Sequence, residues 1–233
     1  MANADASLVY NSLLSTKLRK TRSARKRISQ STQSLAGFSL LLGLRPDSSA
    51  TPLSHHTILF PKDYDAEFDA IFTTRTPVKN PTIYVCAPHD ETMVKEAGAQ
   101  SLFVLVNAPI HDAAGKSGWN WNDESFNRDY ANSIIDHIES QGISIRDRLE
   151  VLEIRTPADL ERSVSAPGGA IYGTSSNGAK SAFLRARNRS PLKGLYCVGG
   201  SAHPGGGLPL VGLSAEIVAN AIGNTQNASR LLH

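Results

Sequence analysis

A glycine-rich stretch near the end of the chain has the residue types of a cofactor-binding turn. The sequence CVGGSAHPGGGLPLVGLSAEIVANAIG runs from Cys197 to Gly223, and apolar residues flank its glycines on both sides. Glycines between a strand and a helix let a ligand approach bare backbone, because no Cβ intervenes. The first N–H groups of the helix and its dipole then stabilise a phosphate or another negative charge. The spacing alone is also compatible with tight packing and no ligand.

Other residues that could do chemistry are scattered along the chain. His203 lies within the glycine-rich stretch, where a structural hydrogen bond is favoured over acid–base catalysis. His55 and His56 fall on a predicted strand, without the helical i, i+4 spacing and without a nearby acid, so no metal site is predicted. Cys86 and Cys197 each lie in an apolar run, which predicts buried thiols in a reducing compartment and no disulfide.

The elements that must position these residues alternate irregularly. Period-two patterns and turn residues predict strands over four apolar segments, residues 34–44, 55–61, 81–89 and 101–110. A helix is predicted after Asn122 or Asp123, with an apolar stripe at Phe126, Tyr130 and Ile134. The order of elements predicts an α/β (α+β) fold, with an antiparallel or mixed sheet covered by helices and a final strand–turn–helix unit.

Charge is nearly balanced except in one segment. The 233 residues have a net charge of +3, but Lys17–Arg27 holds seven basic residues and no acid. Without interleaved aromatics, this segment does not predict nucleic-acid binding. It is interpreted as a mobile, solvated connection or as a contact with an anionic membrane surface. The sequence shows no secretory signal pattern and no apolar run of about 20 residues, so we expect a cytoplasmic protein, with peripheral membrane contact as an alternative.

The stretch LYCVGGSAHPGGGLPLVGLSAEIVA resembles the C-terminus of the carotenoid desaturase family, whose pattern is LYxVGxSxHPGGGxPxVxxSAxxxA. Upstream, ANAD, LLLGL, HHTILF and RTPADLE follow the order of the family, so the resemblance covers nearly the whole chain. It implies a partial FAD/NAD(P)-binding flavoprotein fold of the amine-oxidase and carotenoid-desaturase type. It also implies an FAD-dependent oxidoreductase that desaturates a linear polyene, such as phytoene or diapophytoene, by hydride transfer to the flavin.

The resemblance assigns cofactor contacts to the glycine-rich turn. The segment ending the last strand is expected to approach the ribityl chain, and the following segment to lie by the flavin ring. Because Gly200 stands where amine oxidases carry an acid, its contact with FAD is expected through the backbone. The helix that begins near Pro209 is expected to direct its N-terminus at the pyrimidine side of the ring. The implied FAD-binding residues are Gly199, Gly200, Gly206, Gly207, Leu208 and Pro209.

No catalytic side chain is assigned, because the flavin carries the chemistry. Arg185, in the stretch that matches the family pattern FxRxxNR, is a candidate for the wall of the ligand cavity. A surface salt bridge or a loop anchor is the alternative role for this arginine. Tyr172 and Ser175 are adjacent candidates for the border of a substrate tunnel, although ordinary loop packing is favoured.

The resemblance also indicates a missing part, because no GxGxxG follows a strand in this sequence. The chain is therefore expected to match the C-terminal half of the family. The alternatives are a non-catalytic fragment, a split enzyme whose N-terminal FAD-binding half is a separate chain, or a carotenoid oxygenase or ketolase. The expected organisation is the end of a FAD-domain strand at 1–5, a substrate-binding domain at 6–186, the C-terminal part of the FAD domain at 187–224 and a disordered tail at 225–233.

Overall fold

A computed structural model describes residues 1–48, 53–175 and 185–230 of the chain. The chain divides into two compact units. Unit 1 combines Met1–Ser34 with Glu161–His233, and unit 2 is the continuous segment Leu35–Leu160. Each unit has its own buried apolar cluster.

Unit 2 is built on a five-stranded sheet with the order β2-β3-β4-β1-β5. Every neighbouring pair is antiparallel, so this sheet is antiparallel and not mixed. The predicted combination of strands and helices is confirmed. Four strands fall where the period-two patterns predict them. The strands are β1 Ala36–Leu44, β2 His56–Leu59, β3 Ile83–Cys86, β4 Gln100–Ala108 and β5 Leu149–Arg155.

The helices are short except for two. They are α1 Ala6–Leu8, α2 Arg22–Gln30, α3 Asp65–Phe68, α4 Glu124–Ser140, α5 Pro157–Val164 and α6 Leu208–Arg230. Helices α1 and α3 continue directly into π-helical turns, Val9–Leu13 and Asp69–Thr74, and 3₁₀ turns occur at Arg19–Thr21, Glu91–Met93, Arg146–Arg148 and Pro167–Gly169. Within the described parts of the chain, no helix combines the length and the apolar character required to cross a bilayer.

The core of unit 2 follows from two periodicities. Alternate residues of β1, from Phe38 to Leu44, are buried, and they face the apolar stripe of α4. Asp123 caps this helix as predicted, since its Oδ1 accepts the N–H of Phe126 at 3.0 Å. The ring of Phe38 meets that of Tyr130 edge to face, with the centroids 5.0 Å apart. Burial raises the pKa of the Tyr130 phenol, whose hydroxyl donates to the carbonyl oxygen of Val78.

The compact units do not coincide with the predicted domain boundaries. Residues 6–34 and 161–186 belong to unit 1, not to the unit that holds the sheet. The reason is that Val9 and Tyr10 pack against Cys197 in the buried cluster of unit 1. The tail predicted to be disordered from residue 225 is helical as far as Arg230, because α6 continues to that residue. Residues 231–233 lie outside the described part of the chain.

The basic segment Lys17–Arg27 was predicted to be mobile, and this is wrong because most of it is helical. Arg25 fixes it to the preceding turn. Its Nε donates to the carbonyl oxygen of Tyr10 at 2.7 Å, and its terminal nitrogens donate to those of Ser15 and Thr16. A guanidinium that satisfies the last carbonyls of one helical segment holds the next segment beside it.

A loop carboxylate gives unit 2 a pH dependence. Asp112 accepts the N–H of Ser117, and those of Ala114 and Lys116, and these hydrogen bonds lower the pKa of its carboxyl. The pKa of this carboxyl is therefore lower in the folded chain than in the unfolded chain, so the ionised form stabilises the fold. This stabilisation is fully present above the unfolded pKa and is lost as the pH falls through the folded pKa.

We therefore expect Asp112→Asn to lower the melting temperature at about pH 7, and the difference from the wild type to shrink below about pH 4, where the carboxyl becomes protonated. Thermal melts across this range measure the effect. Asp129→Asn, at an exposed carboxyl of α4, is the matched control. A gap between Asp112→Asn and the wild type that stays constant with pH would contradict the role given to the charge.

Candidate functional site

The two ends of unit 1 meet in a short parallel pairing. The N–H of Ala2 donates to the carbonyl oxygen of Tyr196 at 2.8 Å, and the N–H of Val198 donates to that of Ala2 at 3.0 Å. Asp5 then caps α1 by accepting the N–H of Ser7. The backbone therefore enters a turn directly after the bridge at Ala2.

Asn188 connects the segments of the glycine-rich turn. Its side chain is buried, and its Nδ2 lies within 2.8 Å of the His203 carbonyl oxygen, 3.2 Å of the Cys197 carbonyl oxygen and 3.0 Å of Ser214 Oγ. Ser214, on α6, also accepts the N–H of Gly199. One amide therefore connects the bridged segment at Cys197, the middle of the turn and the final helix α6.

The turn between the bridge at Cys197 and α6 depends on glycine conformations. Gly199, Gly205 and Gly207 have φ values of 115°, 151° and 95°, which other residues rarely adopt. The N–H of Val211 donates to the carbonyl oxygen of Gly207, and this bond begins α6. Leu208, in the first turn of this helix, is 88% exposed.

The predicted cofactor-binding residues come together at this turn, but they do not all face open space. A Cβ at Gly207 would have no neighbour within 4 Å, so the backbone there is bare. A Cβ at Gly200 would lie 3.4 Å from the Cα of Gly206, which places these two glycines against each other. At Gly206 the room left by the missing Cβ is taken by Tyr172, whose Cδ1 would lie 2.4 Å away.

Arg185 is a loop anchor. Its side chain is only 6% exposed, and one terminal nitrogen donates to the carbonyl oxygens of Tyr172 at 2.8 Å and Gly200 at 3.0 Å. Burial lowers the pKa of the guanidinium. The loop anchor, one of the alternatives predicted for this arginine, is observed, and its role in the wall of the ligand cavity stays a prediction. It fixes Tyr172, whose loop-packing role is confirmed by the contact with Gly206.

These residues fit one end of a flavin cofactor. The open backbone at Gly207 and the exposed start of α6 offer N–H groups and the positive end of a 23-residue helix. Leu208 and Pro209 begin the same helix, whereas a Cβ at Gly199 would lie 2.9 Å from Oδ1 of Asn3 and one at Gly200 would meet Gly206. Gly206 contributes indirectly, because its packing on Tyr172 sets the path of the turn.

A large cavity lies within unit 2, between α4 and the chain around α3. Its volume is about 1120 Å³. Apolar and aromatic side chains form most of its wall, among them Leu59, Phe60, Ala70, Val78, Phe126 and Tyr130. Ser133 and His137 add polar atoms on the side of α4, where the His137 ring nitrogens lie 2.8 Å from the Ser133 carbonyl oxygen and 3.0 Å from Asn80 Oδ1.

Glu67 is a buried acidic residue in the wall of this cavity. Its side chain is fully buried, and its carboxylate oxygens accept the N–H of Thr82 and the Nδ2–H of Asn107, each at 2.7 Å. Because a buried carboxylate is costly without such donors, Glu67 ties α3 to the sheet. The cavity wall on this side is therefore held in place by the carboxylate.

Sequence reasoning did not predict this cavity. In the sequence, the spacing of Tyr64, Phe68 and Phe72 is typical of a helix over residues 63–72. The structure divides that segment into α3 and a π-helical turn. One feature of the sequence could have indicated the cavity, namely the proline-rich loop Thr76–Pro81. Because this loop cannot continue a helix or a central strand, it leaves space beside α4.

Comparisons with known proteins place the chain. No family model matches it. It is 38% identical over 176 residues to a 1-hydroxycarotenoid 3,4-desaturase of Flavobacterium sp. (strain P99-3), covering 74% of this chain and 35% of that protein. It is 33% identical over 222 residues to a hydroxyneurosporene desaturase of Rubrivivax gelatinosus, covering 94% of this chain and 40% of the relative. A 4,4'-diapolycopene oxygenase of Methylomonas sp is 30% identical over 212 residues, with 88% of this chain and 40% of the relative covered.

The relatives are oxidoreductases of carotenoid biosynthesis, and the resemblance seen in the sequence is confirmed. The chain belongs to the carotenoid desaturase family. It spans 35% to 40% of the length of these first two curated relatives. Both cysteines are free, as predicted, but only Cys197 is buried, and Cys86 is half-buried.

Proposed function

We propose that the chain is part of an FAD-dependent oxidoreductase that introduces double bonds into a linear polyene such as phytoene or diapophytoene. The observation that carries this proposal is the similarity to carotenoid desaturases over most of the chain. A second candidate, insertion of oxygen into a carotenoid, is supported by the similarity to a 4,4'-diapolycopene oxygenase. The matched region is 35% and 40% of the length of the first two of these relatives, so the activity of the whole enzyme is part of the proposal.

The cofactor would be held at the turn of unit 1. FAD, when bound, supplies the acceptor for the hydride that leaves the substrate. The backbone at Gly199 and Gly200 would approach the ribityl chain, and the backbone from Gly207 to Pro209 would lie by the ring. The first N–H groups of α6 would stabilise negative charge on the pyrimidine side, because they are preorganised and begin an uninterrupted helix.

The substrate would occupy the cavity of unit 2. A linear polyene has no polar groups to recognise, so binding must come from apolar burial, at about 25 cal/mol per Å². A largely apolar cavity of about 1120 Å³ provides that surface. The exposed aromatic rings of Phe60 and Tyr64, whose centroids are 6.0 Å apart, lie beside Pro61 and Asp63 of the wall and would guide an apolar chain toward it.

The exposed basic side chains of α2 and the preceding turn support a contact with an anionic membrane, where such a substrate resides. Lys17, Arg19, Lys20, Arg22 and Lys26 are exposed, whereas Arg25 is engaged with backbone carbonyls. The membrane contact stays a prediction, as does a cytoplasmic location.

A polyene-binding experiment tests the substrate site. Ala70 lines the cavity, and Ala70→Trp should fill part of it and weaken binding of a linear carotenoid by about tenfold or more. Binding is measured by the change in the visible spectrum of the polyene on transfer from detergent to the purified chain. Ala97→Trp, at an exposed alanine outside the cavity, is the matched control. Equal affinity for both variants would contradict this site.

A flavin-binding experiment tests the cofactor site. Leu208→Glu places a negative charge at the N-terminus of α6, so it should weaken FAD binding by about tenfold, or roughly 1.4 kcal/mol, because charge repulsion replaces the attraction of the dipole. Leu13→Glu, at another exposed leucine of unit 1, should leave it unchanged. Binding is followed by quenching of flavin fluorescence. Equal FAD affinity of Leu208→Glu and the wild type would contradict a cofactor site at this turn.

A further inference from the structure

Two histidines and a cysteine of unit 2 converge at one end of the pair formed by β2 and β3. His56 is the register partner of Cys86, so their side chains share one face of the sheet. That face is the open one, since the neighbouring Val85 points into the core. His55 precedes the strand, and its ring centroid lies 4.3 Å from that of His56. A ring nitrogen from each histidine and Sγ of Cys86 all lie within 4.8 Å of one another.

We propose that His55, His56 and Cys86 form a zinc site with water as the fourth ligand. Imidazole nitrogen and thiolate sulfur are the preferred ligands of Zn²⁺, which binds them tetrahedrally. Ligand atoms of such a centre are about 3.5 Å apart, given Zn–N and Zn–S distances of about 2.1 and 2.3 Å. A change of about 1 Å from the observed separation is therefore sufficient to close the site. Exposed histidines and a half-buried cysteine can make this movement without disturbing the core.

Tyr84 positions one of the ligands. Its hydroxyl lies 2.8 Å from Nδ1 of His56, and the two rings are stacked at an interplanar angle of 23°. This contact engages Nδ1 and leaves Nε2 of His56 for the metal. Histidines that bind metals commonly use the second ring nitrogen in such a hydrogen bond, which fixes the orientation of the ring. A third histidine, His89, lies edge-on to His55, with the ring centroids 6.3 Å apart.

In the sequence, only His55 and His56 lie next to each other, and their spacing does not predict a metal site. On a strand, consecutive side chains point to opposite faces, and two adjacent histidines therefore do not make a site by spacing alone. Here His55 lies just outside the strand, and the antiparallel register brings in Cys86, 30 positions after His56 in the sequence. The third ligand, Cys86, is thus brought beside the histidines by the pairing of β2 with β3.

Cobalt is a suitable spectroscopic probe. Tag-free protein, stripped with a chelator and reduced, should bind one equivalent of Co²⁺ and show a thiolate-to-cobalt charge-transfer band together with the visible bands of a tetrahedral centre. Zn²⁺ should displace the cobalt and abolish these bands. Absence of the charge-transfer band, or binding without a defined stoichiometry, would overturn the proposal.

Variants separate this site from incidental binding. Cys86→Ser should lose the charge-transfer band, and both Cys86→Ser and His56→Ala should weaken Zn²⁺ binding by at least about tenfold. Tyr84→Phe should keep the band and weaken binding about tenfold, which is the signature of a positioning residue. His203→Ala, at an exposed histidine of unit 1, should behave as the wild type.

Thermal melts in chelator confirm that each variant folds, and His55→Gln gives an independent test if one variant does not. Unchanged zinc affinity in Cys86→Ser and His55→Gln would exclude the site. A loss of affinity that occurs equally in His203→Ala would show non-specific binding to imidazoles and would also overturn the proposal.

Discussion

Asn188→Ala is expected to destabilise unit 1 by about 3 kcal/mol, because a buried polar group left without its partner costs about 1–3 kcal/mol. The substitution removes the donor shared by the carbonyl oxygens of Cys197 and His203 and by Ser214 Oγ. All three acceptors belong to the glycine-rich turn or to α6. The loss should therefore be concentrated where the flavin is proposed to bind.

Hydrogen exchange measured by mass spectrometry separates this local effect from a global one. Amides of residues 195–215 should exchange about a hundredfold faster in Asn188→Ala, as expected for a loss of about 3 kcal/mol, while those of β1 and β4 stay protected. Asn11→Ala is the matched control, because the Asn11 amide makes an exposed hydrogen bond to Ser7. Equal protection of residues 195–215 in the wild type and Asn188→Ala would show that the amide does not hold the turn.

Two glycine substitutions near each other in sequence should have opposite signs. Gly206→Ala would place a Cβ 2.4 Å from Cδ1 and 2.8 Å from Cα of Tyr172, so backbone must move, at a cost of about 1–3 kcal/mol. Gly206 does not have a positive φ, so the effect is one of contact. Gly212→Ala, in the exposed interior of α6 with nothing within 4 Å, should stabilise the chain by about 0.5–1 kcal/mol.

Urea unfolding followed by far-ultraviolet circular dichroism measures both changes. The double variant should show the sum of the two effects, since one change acts through Tyr172 and the other through helix propensity. A Gly206→Ala variant as stable as the wild type would mean that the Tyr172 loop yields without cost. In that case the turn would not be preorganised for a ligand.

Local signals in the sequence were sufficient for the sheet of unit 2. The alternation in β1 and the cap at Asp123 are set by neighbouring residues, and both are found where they were predicted. The family motif identified the turn from Gly199 to Pro209. The glycines that it brings together were therefore predictable, although their individual roles were not.

Features that depend on distant residues were not predictable from local patterns. The composition of Lys17–Arg27 suggests a solvated loop, but Arg25 orders it by contacts with carbonyls of the preceding turn. The boundary between the units depends on the packing of Tyr10 with Cys197, which are far apart in sequence. The pairing of Cys86 with His56 across β2 and β3 likewise depends on strand register.

The division of the chain has a consequence for folding during translation. Unit 2 is one continuous segment, so its strands β1 and β5 can pair as soon as Arg155 has been synthesised and has left the ribosome. Unit 1 cannot close until Cys197 reaches Ala2, and that loop must be ordered against its entropy. Until the segment that contains Cys197 has been synthesised, Met1–Ser34 lacks its packing partners in unit 1, and Val9 and Tyr10 are uncovered. Chaperones that shield apolar segments would be expected to act at this stage of synthesis.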